Sequence, residues 1–229
     1  MTYFIKKFVA NSRIVHNSVS FLVNFLPDFI THNVSKHSTI SKCILNLNYD
    51  SIEGNYCEFG CFSGASINHA IKTHNKFGKI KKIDNFLNRK FYGFDSFSGF
   101  PEEVHSEYKS KNFETNYQFV KKLEIKHKNC KIIKGYFDDV LNKEEAKNIN
   151  KIALAFVDCD IYISAIPVFK YILDKLVHGS YVMIDDCYNI DKNGKSIFQA
   201  LKENKSLFNK LNYISDYGLN GAVFKYYDN

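Results

Sequence analysis

No CxxC cysteine pair, no HxH or HExxH histidine pattern, no internal repeat and no low-complexity stretch occurs in these 229 residues. The six cysteines, Cys43, Cys57, Cys61, Cys130, Cys159 and Cys187, follow no zinc or iron–sulfur ligand spacing, which argues against either centre. They read as small buried thiols of a reduced, cytoplasmic chain, since no secretory signal accompanies them. No apolar run is long enough to cross a bilayer. The opening stretch MTYFIKKFVANSRIVHNSVSFLVNFLPDFI superficially resembles a targeting segment, but Asn11, Arg13, His16 and Asn17 interrupt it and no small-residue cleavage site follows. An amphipathic helix lying on a membrane surface is the alternative for this stretch. A long basic run is also missing. The net charge is +7, yet the lysines are spread along the chain, so we read them as ordinary surface residues. The sign suits a partner with phosphates or carboxylates, such as a sugar nucleotide, an acidic glycan or nucleic acid.

What is present is a globular profile, 45% hydrophobic and 24% charged, in a chain long enough for one sizeable core. Residues 1–53 have mixed helical patterning and are expected to form a helical N-terminal cap. From residue 54 to 229 short apolar runs alternate with helical segments, the pattern of an α/β sheet with helices on both faces. The expected strands are 56–59, 91–94, 131–134, 152–157 and 181–184. A last pair, 213–216 and 222–226, is joined by the turn formers Gly218, Asn220 and Gly221 as an antiparallel hairpin. Ile67 and Ile71 mark a helix from Gly64. Ile166, Phe169, Leu173 and Leu176 mark another, with Ser164 as its cap, Pro167 in its first turn and His178-Gly179 as its end.

Ligands of open α/β sheets bind at the carboxyl ends of the strands. The first strand ends in Glu58-Phe59-Gly60-Cys61-Phe62-Ser63-Gly64-Ala65-Ser66, where two glycines allow a tight turn into a helix with unpaired N–H groups. The spacing is not that of a dinucleotide-binding GxGxxG. A purely structural turn explains the segment equally well. The second strand ends in Asp95-Ser96, and an acid there can accept both hydroxyls of a ribose or cap the following turn. Together they favour a nucleoside-containing cofactor.

The fourth strand runs into Asp158-Cys159-Asp160 and the fifth into Asp185-Asp186. Neighbouring strands lie roughly 4.8 Å apart, so the four carboxylates are expected to converge. They then need a cation or shared protons, and hard oxygen donors of this kind suit Mg²⁺ or Ca²⁺. Caps and solvated loops remain the alternative for each aspartate taken singly.

At these positions the chain resembles the macrocin O-methyltransferase family of class I methyltransferases. The segments that carry the resemblance are YCEFGCFSGAS at 56–66, FYGFDSFSGFP at 91–101, GYFDD at 135–139, VDCDIY at 157–162 and IDDC at 184–187, spanning roughly 54–201. The resemblance implies a Rossmann-like seven-stranded sheet with the seventh strand antiparallel. It implies S-adenosylmethionine under the first loop, held by Glu58, Phe59, Gly60, Gly64, Ser66, Asp95, Ser96 and Asp158, with Gly135, Phe137 and Asp138 near the adenine. It assigns Mg²⁺ to Asp158, Asp185 and Asp186, and the general base to Asp160. The sequence departs from the family at Ile163, at Cys187 before Tyr188, and at Lys195, all toward the acceptor side.

The implied reaction is methyl transfer to a hydroxyl of a sugar, on a glycan or a glycosylated small molecule, with the metal lowering the acceptor's pKa and Asp160 taking the proton. Two rivals belong to other classes: a nucleic-acid-directed methyltransferase, disfavoured because no basic-aromatic stripe appears, and a catalytically silent cofactor-binding scaffold. The apolar residues of the N-terminal segment need burial, either over the cofactor or in a subunit interface between identical chains.

Overall fold

Seven strands form one sheet in the computed structural model, which describes residues 12–78, 88–101 and 109–228. Residues 1–11 of the candidate targeting stretch lie outside them. The strands are β1 (Asn55–Phe59), β2 (Phe91–Asp95), β3 (Cys130–Lys134), β4 (Ile152–Val157), β5 (Leu176–Ile184), β6 (Leu211–Tyr217) and β7 (Gly221–Tyr226). Their order is β3-β2-β1-β4-β5-β7-β6. The first five are parallel, and β7 pairs antiparallel with both β5 and β6. This is the expected Rossmann-like class I arrangement, and the last two strands are the expected hairpin.

The sequence dictates a sheet covered on both sides. All six residues of β4, Ile-Ala-Leu-Ala-Phe-Val, are buried. One face packs Phe59, Val157 and Val182 against Val168, Phe169 and Ile172. The other packs Tyr56, Leu154 and Phe156 against Ile40, Ile44, Leu47, Ile67 and Ile71. Each fully buried Ile, Leu or Phe contributes on the order of 1.5–3 kcal/mol.

Before the sheet come α1 (Arg13–Phe25) and α2 (Asp28–Tyr49). Ser12 caps α1, yet no residue of α1 is buried, and Ile14, Phe21, Leu22 and Phe25 are exposed. In contrast, α2 buries Ile40, Cys43, Ile44 and Leu47, three and four apart, along one stripe facing the sheet. The helices after β1 are α3 (Ala65–Gly78), α4 (Tyr117–Lys126), α5 (Phe137–Val140), α6 (Glu144–Lys147), α7 (Tyr162–Leu173), α8 (Ile197–Glu203) and α9 (Lys205–Phe208). Among the described residues no helix is long and apolar enough to cross a membrane.

Two local expectations need correction. Leu176 and His178-Gly179 do not end α7; they belong to β5. The helix stops at Leu173, and Lys175 supplies its carbonyl to the N–H of Ile152, so the chain is already in the sheet. Gly179 then serves a β-bulge: it has φ +86°, and the register jumps from Ile152↔Leu176 to Leu154↔Tyr181. Nor does Ser164 cap α7. The N-cap is Ile161, without a side-chain bond; Ser164 is the third helical residue, and Pro167 falls beyond the first turn.

Candidate active site

The parallel strands β1, β2, β3 and β4 end together, and residues at and just after their ends line one cavity of about 450 Å³, the size range of small-ligand sites. Its walls include Gly60 after β1, Asp95 at the end of β2 and Ser96 after it, Gly135, Phe137 and Asp138 after β3, and Asp158 and Asp160 after β4. Lys36 from α2 also lines it, as do Ile163, Ser164 and Pro167 from α7.

Gly60 is where the β1 turn becomes obligatory. Its φ is +96°, and a Cβ would lie 1.8 Å from the Asp158 carbonyl oxygen. Its N–H donates to Phe94 at 2.8 Å, while Asp158 donates its own N–H to Phe59 at 2.9 Å. The Asp95 carboxylate ties the loop together: Oδ2 accepts from the N–H groups of Cys61 (2.9 Å) and Phe62 (2.8 Å), and Oδ1 from that of Phe97 (2.7 Å). Burial nevertheless pushes the Asp95 carboxyl above its ordinary range, against those three bonds. Asp95 is thus both a cap for the β1 loop and an acid on the cavity wall. The glycine turn, the strand-end acid and Phe137 form a cradle that fits a nucleoside.

Four expected cofactor residues lie behind this wall and do not line the cavity. Phe59 is buried and stacks on Phe94 at 5.2 Å. Gly64 packs against Val120 and Leu123. Glu58 is fully buried, accepting from Tyr56 Oη and, at 2.6 Å, from Ser66 Oγ. Burial raises its carboxyl to about 7, although Ser66 and Tyr56 pull it down. Because the folded pKa lies above the unfolded one, Glu58 supports folding fully below about pH 4.5, and this support is lost as pH rises through about 7. Glu58→Gln keeps an oxygen for Tyr56 and removes the charge. Its stability relative to wild type is expected to improve between pH 5 and 8 by on the order of 3 kcal/mol. Urea melts at the two pH values check this, and parallel curves for the two proteins would refute it.

The four aspartates do converge, as the register Val157↔Ile184 requires. They do not form the expected metal set. Lys36 Nζ stands between Asp158 and Asp185, 3.1 Å from Asp158 Oδ2 and in contact with Asp185 Oδ2. Asp185 also accepts from Tyr217 Oη at 2.9 Å and from His32 Nε2 at 3.3 Å. His32 Nδ1 accepts the Leu219 N–H at 3.1 Å, which leaves the proton on Nε2 for Asp185. Asp160 and Asp186 are neighbouring carboxylates, and burial together with the adjacent negative charge pushes both above the ordinary carboxyl range. Asp186 Oδ1 also accepts from Asn189 Nδ2 at 2.8 Å. As arranged, Asp158, Asp185 and Asp186 do not fit Mg²⁺: both oxygens of Asp185 are committed, Lys36 occupies Asp158 Oδ2, and Asn189 holds Asp186 Oδ1. Among the described residues no group of three His, Cys, Asp or Glu is placed to hold a metal.

The electrostatics follow from these contacts. Burial opposes the Lys36 charge, but Asp158 and Asp185 outweigh it and hold its pKa above the ordinary lysine value. Burial likewise opposes the charge on Asp185, yet His32 and Lys36 hold its carboxyl down to about 2. Asp158 is pushed up by burial and by Asp185, and Asp160 by burial and by Asp186. Asp160 and Asp186 both have positive φ, +61° and +46°, a conformation that costs on the order of 1–3 kcal/mol at a non-glycine residue and clusters at functional sites.

His32 and Lys36 are the site residues that motif reading missed. The signal was a helical stripe, His32, Lys36, Ile40 and Ile44, with two polar residues continuing a buried apolar face. On the acceptor side, Ile163 lines the cavity, Lys195 Nζ lies over the Tyr162 ring at 4.4 Å, and Tyr188 is exposed.

The sequence model described as Macrocin-O-methyltransferase (TylF) matches residues 34–221. No curated protein sequence matches the chain. Among solved structures, the O-methyltransferase NovP superposes with a TM-score of 0.66 at 17% identity, covering 84% of this chain and 79% of that one. The calicheamicin methyltransferase CalS11 gives 0.65 at 20% identity, covering 97% and 90%. Its apo form, described as a TDP-rhamnose 3'-O-methyltransferase, gives 0.58 at 20%, covering 97% and 92%. An O-methyltransferase from Bacillus cereus in complex with SAH gives 0.55 at 12%, covering 98% and 97%. At these identities the likeness concerns the fold.

Proposed function

The chain belongs to the macrocin O-methyltransferase family, and from that membership we propose that it methylates a hydroxyl of a sugar, free, nucleotide-activated or attached to a small molecule, in the cytoplasm. The observation that carries this reading is a single cavity joining the nucleoside cradle of Gly60, Asp95 and Phe137 to the carboxylates Asp158 and Asp160. The description of CalS11 as a TDP-rhamnose methyltransferase supports a sugar acceptor.

S-adenosylmethionine supplies a methyl group already activated as a sulfonium. The protein's work is therefore positioning and proton removal. Asp95 receives the ribose hydroxyls, and Phe137 packs beside the base. The acceptor enters beside Ile163, its oxygen directed toward Asp160. Asp160 would take the proton of the acceptor oxygen as the methyl group passes to that oxygen and the thioether leaves. Lys36, in contact with Asp158 and Asp185, supplies a positive charge beside this step where the resemblance places a divalent cation on Asp158, Asp185 and Asp186.

Titration calorimetry with S-adenosylhomocysteine tests the cradle. Asp95→Ala is expected to weaken binding by about 1–3 kcal/mol, the cost of orphaning buried hydroxyls. Undiminished affinity removes Asp95 from the site. Transfer of labelled methyl to nucleotide-activated deoxysugars tests the acceptor class.

A further inference from the structure

We propose that Lys36 is the resident cation of the acceptor site, an ammonium built into the chain where the carboxylate cluster would otherwise require a divalent metal. The inference rests on the methyltransferase reading for its functional meaning, but its geometry stands alone.

Four observations support it. The ammonium lies between Asp158 Oδ2, at 3.1 Å, and Asp185 Oδ2, so it bridges the ends of β4 and β5. Its side chain is only 13% exposed, and what is exposed faces the cavity shared with Gly60 and Asp160. An ammonium has three donors; two serve the carboxylates and one remains for an oxygen in the cavity. Finally, the lysine is fixed in place rather than swung in from a mobile loop. It sits on α2, whose next turns bury Ile40, Cys43 and Ile44 against the sheet. The turn before it is pinned by the β6–β7 connection, through Gly218 N–H to Ser35 Oγ at 3.0 Å and Leu219 N–H to His32 Nδ1 at 3.1 Å. His32 then reaches Asp185 as well, so α2 delivers two donors to one carboxylate.

Charge accounting decides what this arrangement does. Neighbouring buried carboxylates repel unless a cation or a proton compensates. Here Lys36 hydrogen-bonds Asp158 and Asp185 and supplies one positive charge between them, while burial beside neighbouring carboxylates pushes Asp158, Asp160 and Asp186 toward their protonated forms. A metal ion would have to displace an ammonium that already holds two charge-assisted hydrogen bonds. Lys36 thus positions both strand-end carboxylates and offers positive charge to the acceptor oxygen as it loses its proton.

Mn²⁺ is the probe, followed by electron paramagnetic resonance on the full-length protein, wild type beside Lys36→Ala and Lys36→Arg. Removal of the ammonium should free the carboxylates, so Lys36→Ala is expected to bind Mn²⁺ at least about tenfold more tightly than wild type, and Lys36→Arg to behave as wild type. Equal affinity in wild type and Lys36→Ala would overturn the proposal, because Lys36 would then yield to a metal. Should no protein bind Mn²⁺, a thermal double-mutant cycle decides. Loss of stability in Lys36→Met that Asp185→Asn restores upholds the compensating role, and a Lys36→Met protein as stable as wild type refutes it. S-adenosylhomocysteine titration of the same wild-type samples separates the two claims: no binding sinks the methyltransferase reading of the cavity and leaves the Mn²⁺ result to be judged by itself.

Discussion

Gly60→Ala should cost about 3–5 kcal/mol, more than an ordinary core substitution, and abolish S-adenosylhomocysteine binding. The added Cβ would sit 1.8 Å from the Asp158 carbonyl oxygen and 2.7 Å from its carbonyl carbon. Neither atom belongs to a flexible side chain, so the β4 backbone itself has to move. Doing so strains two ladder bonds, Gly60 to Phe94 and Asp158 to Phe59, at 2.8 and 2.9 Å. The φ of +96° adds a second penalty for any residue with a Cβ. In a chain of this size each kcal/mol lowers the melting temperature by roughly 2–4 °C, so a fall of about 10 °C is expected. Differential scanning calorimetry reads it directly. A melting temperature within a degree or two of wild type would mean that the turn relaxes, and that Gly60 was not what seats Asp158 beside the cavity.

The same loop shows why part of the molecule was legible in the sequence. Apolar runs such as 152–157 have few structural options when every side chain is buried, and β4 appears with the expected bounds. Strand ends then locate the cavity by geometry, which is why Asp95, Asp158 and Asp160 were accessible before any coordinates. The bulge of β5 was not, because Gly179 at the end of a helical stripe looks the same as a C-cap until β4 is seen beside it. Nor was Lys36, whose partner Asp158 is 122 positions away. Periodicity reports which face of a helix is buried, but not which carboxylate a polar residue on that face will meet. Four acids are visible in the sequence and the lysine among them is not, so the pattern reads as a metal site.

Asp160→Asn should lower turnover by about 10²–10⁴-fold, the usual worth of a positioned general base, and leave cofactor affinity unchanged. The substitution is chosen for what it preserves. Asp160 has φ +61°, a conformation that asparagine adopts more readily than other non-glycine residues. The amide fills the same space beside Ile161 and can keep a hydrogen bond to Asp186. It cannot accept the acceptor's proton. The cofactor cradle at Gly60, Asp95 and Phe137 is built by other loops, so S-adenosylhomocysteine titration should match wild type. With a verified acceptor, single-turnover methyl transfer isolates the chemical step from product release. The loss should appear in kcat, with KM for the acceptor little changed. Asp186→Asn separates the two neighbours: a comparable loss would mean that both carboxylates, rather than Asp160 alone, form the functional unit. Turnover by Asp160→Asn within a few-fold of wild type would place the base elsewhere and leave the Asp160–Asp186 contact as a structural clasp between the ends of β4 and β5.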